Sequence, residues 1–300
     1  MHSDTWPPPE PKRFRKRRRR RTATWLLSAL LVMGLVAGGL TAWNTLSSAF
    51  TGLSTACSAP LNGTDYELAP DQAGNAALIA AIAQRRSMPP RAVTIGIAVA
   101  MQESKLRNIS YGDRDSVGMF QQRPSQGWGS PEQLMDPVFA INAFFDHLAA
   151  LPGYQDMAIT EAGQAVQRSA YPLAYGQHES MARAFSSALT GYSPAALSCV
   201  LPQPQEPGDP ALVIQALQSG FGDAPAQSTA PGTVRLTAAS ETAGWQLAQW
   251  AVANANDLQI TEISYNGSRW QRQGSTDPGW QATGAGEQPV SEVLITVQRT

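Results

Sequence analysis

Histidine, cysteine and dispersed positive charge are all scarce in this 300-residue chain, and each shortage removes a class of chemistry. There are three histidines, His2, His147 and His178, and none follows residue 178. That is too few, too widely spaced, for a metal site built on imidazole, and no metal or cofactor is expected. The two cysteines are Cys57 and Cys199. A catalytic thiol would want a histidine partner, whereas two thiols bracketing one segment outside the cytoplasm tend to oxidise. A disulfide closing 57–199 is the expectation. Positive charge is confined to one place: residues 1–21 hold nine Lys/Arg against Asp4 and Glu10, a balance of +7, so the other 279 residues carry −8. A nucleic-acid binder would put its positive charge on the folded part, which here is acidic. Nucleic acid is therefore excluded as a partner.

Long apolar runs are also rare, with one exception. Residues 23–43 contain no charge and are flanked by Trp25 and Trp43. At about 1.5 Å per residue this run matches a bilayer core of roughly 30 Å. The basic residues 12–21 before it would hold the N-terminus in the cytoplasm. Cleavage as a signal peptide is the rival reading, but Leu40-Thr41-Ala42 is a poor cleavage site. The sequence thus predicts a cytoplasmic tail at 1–22, one transmembrane helix at 23–43 and a polar stalk at 44–72. Everything beyond would lie outside the cell membrane.

The remainder divides at a Pro-rich stretch, 200–210, which reads as a semi-rigid linker. Before it, 73–199 carries helical signals at 75–86, 92–101, 131–151, 160–168 and 179–189. The second of these starts at Pro89-Pro90 and is apolar on every side, as a helix inside a bundle must be. No alternating strand stands out in this unit. After the linker, 211–300 mixes a helix at 241–256, a strand at 260–265, the hairpin dipeptide Asn266-Gly267 and a final strand at 290–297. The predicted fold is a mainly α domain and a small α+β C-terminal domain, preceded by one transmembrane helix. The last strand holds no histidine, so zinc catalysis is excluded there, and a wall-binding or spacer role is expected.

Two stretches carry the chemistry. The apolar helix ends in Met101-Gln-Glu-Ser-Lys-Leu-Arg107, and Ser116-Val-Gly-Met-Phe-Gln-Gln-Arg-Pro124 follows. Glu103 is a single carboxylate delivered by apolar surroundings. Burial disfavours its charged form and raises its pKa, as general-acid protonation of a glycosidic oxygen requires. Glu-Ser after an apolar helix, then Gly-Met-Phe-Gln with a proline three residues on, resembles the soluble lytic transglycosylases and goose-type lysozymes. Tyr111-Gly-Asp-Arg-Asp115 and Gln122-Arg-Pro-Ser-Gln-Gly-Trp128 are similar to the lysozyme-like domains of actinobacterial wall proteins. The resemblance covers about 75–190. It implies a lysozyme-like α fold with a cleft for peptidoglycan glycan strands, Glu103 as the acid, and Gly118 admitting a sugar close to the backbone. Met119, Phe120 and Gln121 would line the cleft. Tyr171 or Tyr175 would supply an aromatic across it, although Tyr171-Pro172 departs from the family's Tyr-Asn.

Hydrolysis with paired acids needs a second carboxylate opposite Glu103, and Asp113 or Asp115 could supply it. The same two residues could instead stabilise their turn with Arg114. If neither faces the cleft, Glu103 acts as acid and then base while the muramyl 6-hydroxyl attacks, and a 1,6-anhydro end results. The expected function is cleavage of the MurNAc-GlcNAc bond by a membrane-anchored enzyme. The alternative is a catalytically silent peptidoglycan-binding or scaffold protein of an envelope secretion or conjugation complex.

Overall fold

The computed structural model describes residues 55–168, 172–272, 279–283, 289 and 291–299. The described part of the chain belongs to one compact unit that begins at Thr55. Strands β1 (Ala56–Leu61) and β2 (Thr64–Leu68) open it as a hairpin. Their turn is Asn62-Gly63, both residues at positive φ, the backbone that a two-residue hairpin loop demands. Helix α1 (Pro70–Arg85) and helix α2 (Pro90–Ser104) follow, each with proline in its first turn, where a missing N–H costs nothing.

The next helical stretch is interrupted. Short α3 (Pro131–Leu134) stops and α4 (Pro137–Ala149) starts afresh, because Pro137 cannot continue a helix and the Asp136 carboxylate caps the Val138 N–H at 2.9 Å. Helices α5 (Ile159–Gln167) and α6 (Glu179–Leu189) flank a 3-10 helix, Pro172–His178. Helix α2 runs through the middle, buried from Ala92 to Ala100 and packed by α1, α4, α5 and α6. Gly96 lets α1 come close, since a Cβ there would sit 3.0 Å from the Ile79 side chain.

Strand β3 (Ser198–Val200) returns to β1, pairing Cys57 with Cys199, and the two form a disulfide. Beyond it come α7 (Pro210–Phe221), β4 (Ala226–Ala230), β5 (Thr233–Thr237), α8 (Glu241–Ala253), β6 (Ile260–Tyr265), β7 (Ser268–Gln271), β8 (Gln281–Ala282) and β9 (Glu292–Val297). The six strands make one antiparallel sheet in the order β4-β5-β9-β6-β7-β8. Helix α8 packs between this sheet and α1 and α6, so residues on both sides of the Pro-rich stretch share one hydrophobic core. Gln249 of α8 shows how tightly. Its amide donates to Ala188 O and Ser193 O at 2.8 and 3.0 Å and accepts from Ala196 N and Leu197 N at 2.9 and 2.7 Å.

The expected fold, mainly α behind a transmembrane helix, is corrected. The described chain is mixed α/β with a three-stranded and a six-stranded sheet. Its early strands bury little beyond Cys57, Ala59 and Leu68, so their apolar alternation is faint, and 56–68 reads as stalk. Among the described residues no helix is long and apolar enough to cross a membrane. The run at 23–43, to which that crossing was assigned, lies outside the described residues.

Candidate active site

Glu103 sits in the last turn of α2. The helix ends abruptly one residue past Ser104, where Lys105 and Leu106 both take left-handed backbone. Leu106 is buried, and its carbonyl and that of Lys105 accept from Asn75 and Gln72 of α1 at 2.7 and 2.8 Å. The helix end is therefore held from outside, and Glu103 with it.

Ser104 explains why serine follows the glutamate. Its buried hydroxyl donates to Met119 O at 2.6 Å and accepts from Arg107 N at 3.1 Å. The first motif is thereby tied to the second. The loop 107–123 is closed on itself by Gly118 N to Ile109 O at 2.7 Å and a bridge between Val117 and Gln122. Asn108 and the buried Gln122 fasten it to Met135 O and Ala140 O.

Glycine at 118 has a different reason from the one expected. Its φ is +79°, and a Cβ would lie 2.4 Å from Leu134 O. The close approach is to the protein's own backbone, with α3 occupying the place assigned to a sugar. Met119 and Phe120, expected to line a cleft, are fully buried, and Phe120 stacks on Phe144 with centroids 4.4 Å apart. Neither offers surface to a ligand. Gln121 does face outward, its amide donating to Gly118 O and Tyr111 O at 3.1 and 3.2 Å.

Glu103, Asp113, Gln121, Trp128, Gln167 and Arg168 are among the walls of a cavity of about 480 Å³. A neighbouring cavity of about 590 Å³ shares Gln126, Trp128, Gln167 and Arg168 with it and reaches His147 and Leu151. Together they make an elongated groove past Glu103. Trp128 stands at the join, its ring 4.0 Å from that of His147.

The Glu103 carboxyl is half-buried, and burial raises its pKa above the ordinary carboxylate value. Two donors oppose that shift without cancelling it. Tyr175 donates its hydroxyl to Oε1 at 2.6 Å, and the Gln167 side chain adds a second hydrogen bond. Tyr175 is fully buried, lying over Gly163 of α5, where a Cβ would meet its ring at 2.9 Å. Gln177 and His178 both bond to Gln102 Oε1 at 3.1 Å, so the 3-10 helix carrying Tyr175 is pinned to α2 beside Glu103. Tyr171 lies outside the described residues.

The two loop aspartates part company. Asp115 binds Arg123 Nε at 2.7 Å and Ser125 through backbone and hydroxyl at 2.7 and 3.0 Å, contacts that hold its pKa far below the usual carboxylate range. It is a fastener of the turn leading to Trp128. Asp113 is exposed, lines the cavity and pairs loosely with Arg114 at 3.9 Å. The structure thus brings Glu103, Gln121 and Asp113 to one groove, with the buried Tyr175 behind Glu103. Gln167 and Trp128 belong to the same site and carried no signal beyond, for Trp128, its place in the motif. A search against protein-family models gives no match, and no curated protein matches the chain.

Proposed function

We propose that this protein cleaves the MurNAc-GlcNAc glycosidic bond of peptidoglycan, with Glu103 as the proton donor. The observation that carries this reading is a carboxyl group of raised pKa in the wall of an elongated groove, held by a tyrosine hydroxyl. A neutral acid near its own pKa is suited to protonate a leaving oxygen, and donors that favour the anion ready it for the return of a proton.

The chemistry needs one carboxylate. Glu103 gives its proton to the bridging oxygen as the bond from the muramyl anomeric carbon breaks, and the leaving sugar departs with a free hydroxyl. The muramyl 6-hydroxyl oxygen attacks that carbon and Glu103 takes its proton. The acid is regenerated, a 1,6-anhydro end forms and no water is consumed. Asp115 is committed to its turn and is no second acid, whereas Asp113 lines the cavity, exposed and only loosely paired with Arg114, and is the residue through which a paired-acid hydrolysis would run. The disulfide supports work in an oxidising compartment.

Digestion of purified peptidoglycan by the full chain tests the proposal, with mass analysis of the released fragments. Anhydro ends from wild type and none from Glu103→Gln are the expected result. Reducing ends that vanish in Asp113→Asn would establish a hydrolase instead. No release from any wall by either chain would overturn cleavage in favour of a silent wall-binding role.

A further inference from the structure

The other end of α2 carries a second groove, with no carboxylate of the first site in its walls. A cavity of about 510 Å³ is lined by Ser87, Thr190, Tyr192, Ser240, Thr242 and Gln246, among others, without a charged side chain. It adjoins a cavity of about 500 Å³ that shares Pro90, Thr190 and Tyr192 and leads to the Arg91–Glu179 ion pair and Arg183. Tyr192 stands between the two and is 67% exposed, one of few large apolar residues left in solvent among the described residues.

Gln246 supplies the sharper observation. It is 3% exposed, yet its Nε2 has no hydrogen-bond partner among the described residues. Three residues further along α8, the buried amide of Gln249 makes four hydrogen bonds. A buried donor left empty is costly, and Gln246 is among the walls of the cavity, so that a turn of its amide brings this donor to an acceptor there. The groove is also preformed. Gly191 has φ +79° and lies so close to Thr242 O that a Cβ would meet it at 2.0 Å. The loop carrying Tyr192 is thus pressed onto the start of α8, and Tyr192 N is bonded to Ser187 O at 3.0 Å.

We propose that this groove binds an N-acetylated saccharide, remote from Glu103. Hydroxyl and amide walls without charge suit a neutral polyhydroxylated ligand. An exposed tyrosine offers a flat apolar face to a sugar ring and a polar edge beside it. The acetamido carbonyl is an acceptor that the Gln246 amide meets by turning toward the cavity. The choice of an N-acetylated sugar rests on the glycan reading of the Glu103 groove, but the test separates the two.

N-acetylchitotriose is titrated into the full chain carrying Glu103→Gln, with binding followed by calorimetry. Adding Tyr192→Ala, or separately Gln246→Leu, is expected to remove one class of sites or weaken it about tenfold. Cellotriose, which has the hydroxyls without the acetamido group, is expected to bind this class more weakly. Tyr192→Ala in the otherwise wild-type chain leaves any cleavage of short glycan fragments unchanged. The proposal is overturned if both variants bind like the parent, if cellotriose binds the class equally well, or if no saccharide binds. Tyr192-dependent binding by a chain that cleaves nothing would refute the glycosidase and leave this site standing.

Discussion

Replacing Ser104 by alanine tests whether the two motifs form one device. The Ser104 hydroxyl donates to Met119 O at 2.6 Å, and Met119 is fully buried. The hydroxyl's other partners keep fallbacks, Arg107 N in Ser104 O at 3.3 Å and Ala100 O, 3.2 Å from the hydroxyl, in Leu106 N at 3.0 Å, so the alanine orphans chiefly one carbonyl. An unsatisfied buried acceptor costs about 1–3 kcal/mol, offset by roughly 0.5 kcal/mol from the better helix propensity of alanine. The net loss is about 0.5–2.5 kcal/mol. For a unit of this size that is a fall in Tm of roughly 1–10 °C, readable by calorimetry or circular dichroism. Activity should fall further than stability. Met119 and Phe120 carry the backbone onto which Gln167 is bonded, at 2.7 Å to Phe120 O, and Gln167 in turn contacts Glu103. A displacement of about 1 Å at a reacting group can cost about a hundredfold. Assayed well below either melting temperature, Ser104→Ala should lose kcat on peptidoglycan with little change in KM. A variant that melts like wild type and digests like wild type would refute the claim that this hydroxyl couples acid to loop.

Tyr175→Phe removes a donor that favours the ionised carboxylate while burial remains, so the alkaline limb of the activity profile should move to higher pH; a limb that stays or moves down contradicts the assignment. Because the folded pKa of Glu103 lies above its unfolded value, its contribution to stability is complete below the unfolded pKa and lost as pH rises through the folded one. Glu103→Gln should accordingly gain stability over wild type in going from acid to mildly alkaline urea titrations. Gly118→Ala must carry a side chain at φ +79° against Leu134 O and should cost about 2 kcal/mol or more, seen as a lowered urea midpoint. Removing both cysteines deletes a link spanning 142 residues and should cost up to about 5 kcal/mol in the chain-entropy account; an unchanged midpoint would mean the disulfide is absent from the working protein.

Much of the fold was legible where the signal is local. The buried α2, the α5 and α6 helices, and the hairpin at Asn266-Gly267 all follow from periodicity or turn chemistry. The same dipeptide at Asn62-Gly63 makes the first hairpin, but its strands carry little apolar alternation, since β1 buries only the small Cys57 and Ala59 and β2 only Leu68. The role of 200–210 was hidden for another reason. Arg272 donates to Pro202 O at 2.6 Å, and Gly208 N bonds to Gln298 O at 3.0 Å. The partners that fasten this stretch lie 70 and 90 residues away in sequence, and no composition rule can find them.

The site shows the same division in sharper form. A motif names residues that occur together without saying whether they touch ligand or each other. Ser104, Gly118, Met119 and Phe120 meet each other or the core, and their part is to fix a backbone path. The side chains that meet Glu103 come from elsewhere, Tyr175 from the 3-10 helix and Gln167 from the end of α5. Both are held by features that look incidental in sequence: Gly163, which makes room for the Tyr175 ring, and Phe120 O, which turns the Gln167 amide. Enlarging Gly163 should therefore reach Glu103 without touching it. Gly163→Ala would push the Tyr175 ring from a contact a Cβ would make at 2.9 Å. It should shift the pH profile in the same direction as Tyr175→Phe, whereas the same substitution at Gly74, where a Cβ would meet nothing closer than 3.5 Å, should leave that profile in place. If the two glycine variants behaved alike, Tyr175 would not be a group that offsets the effect of burial on Glu103.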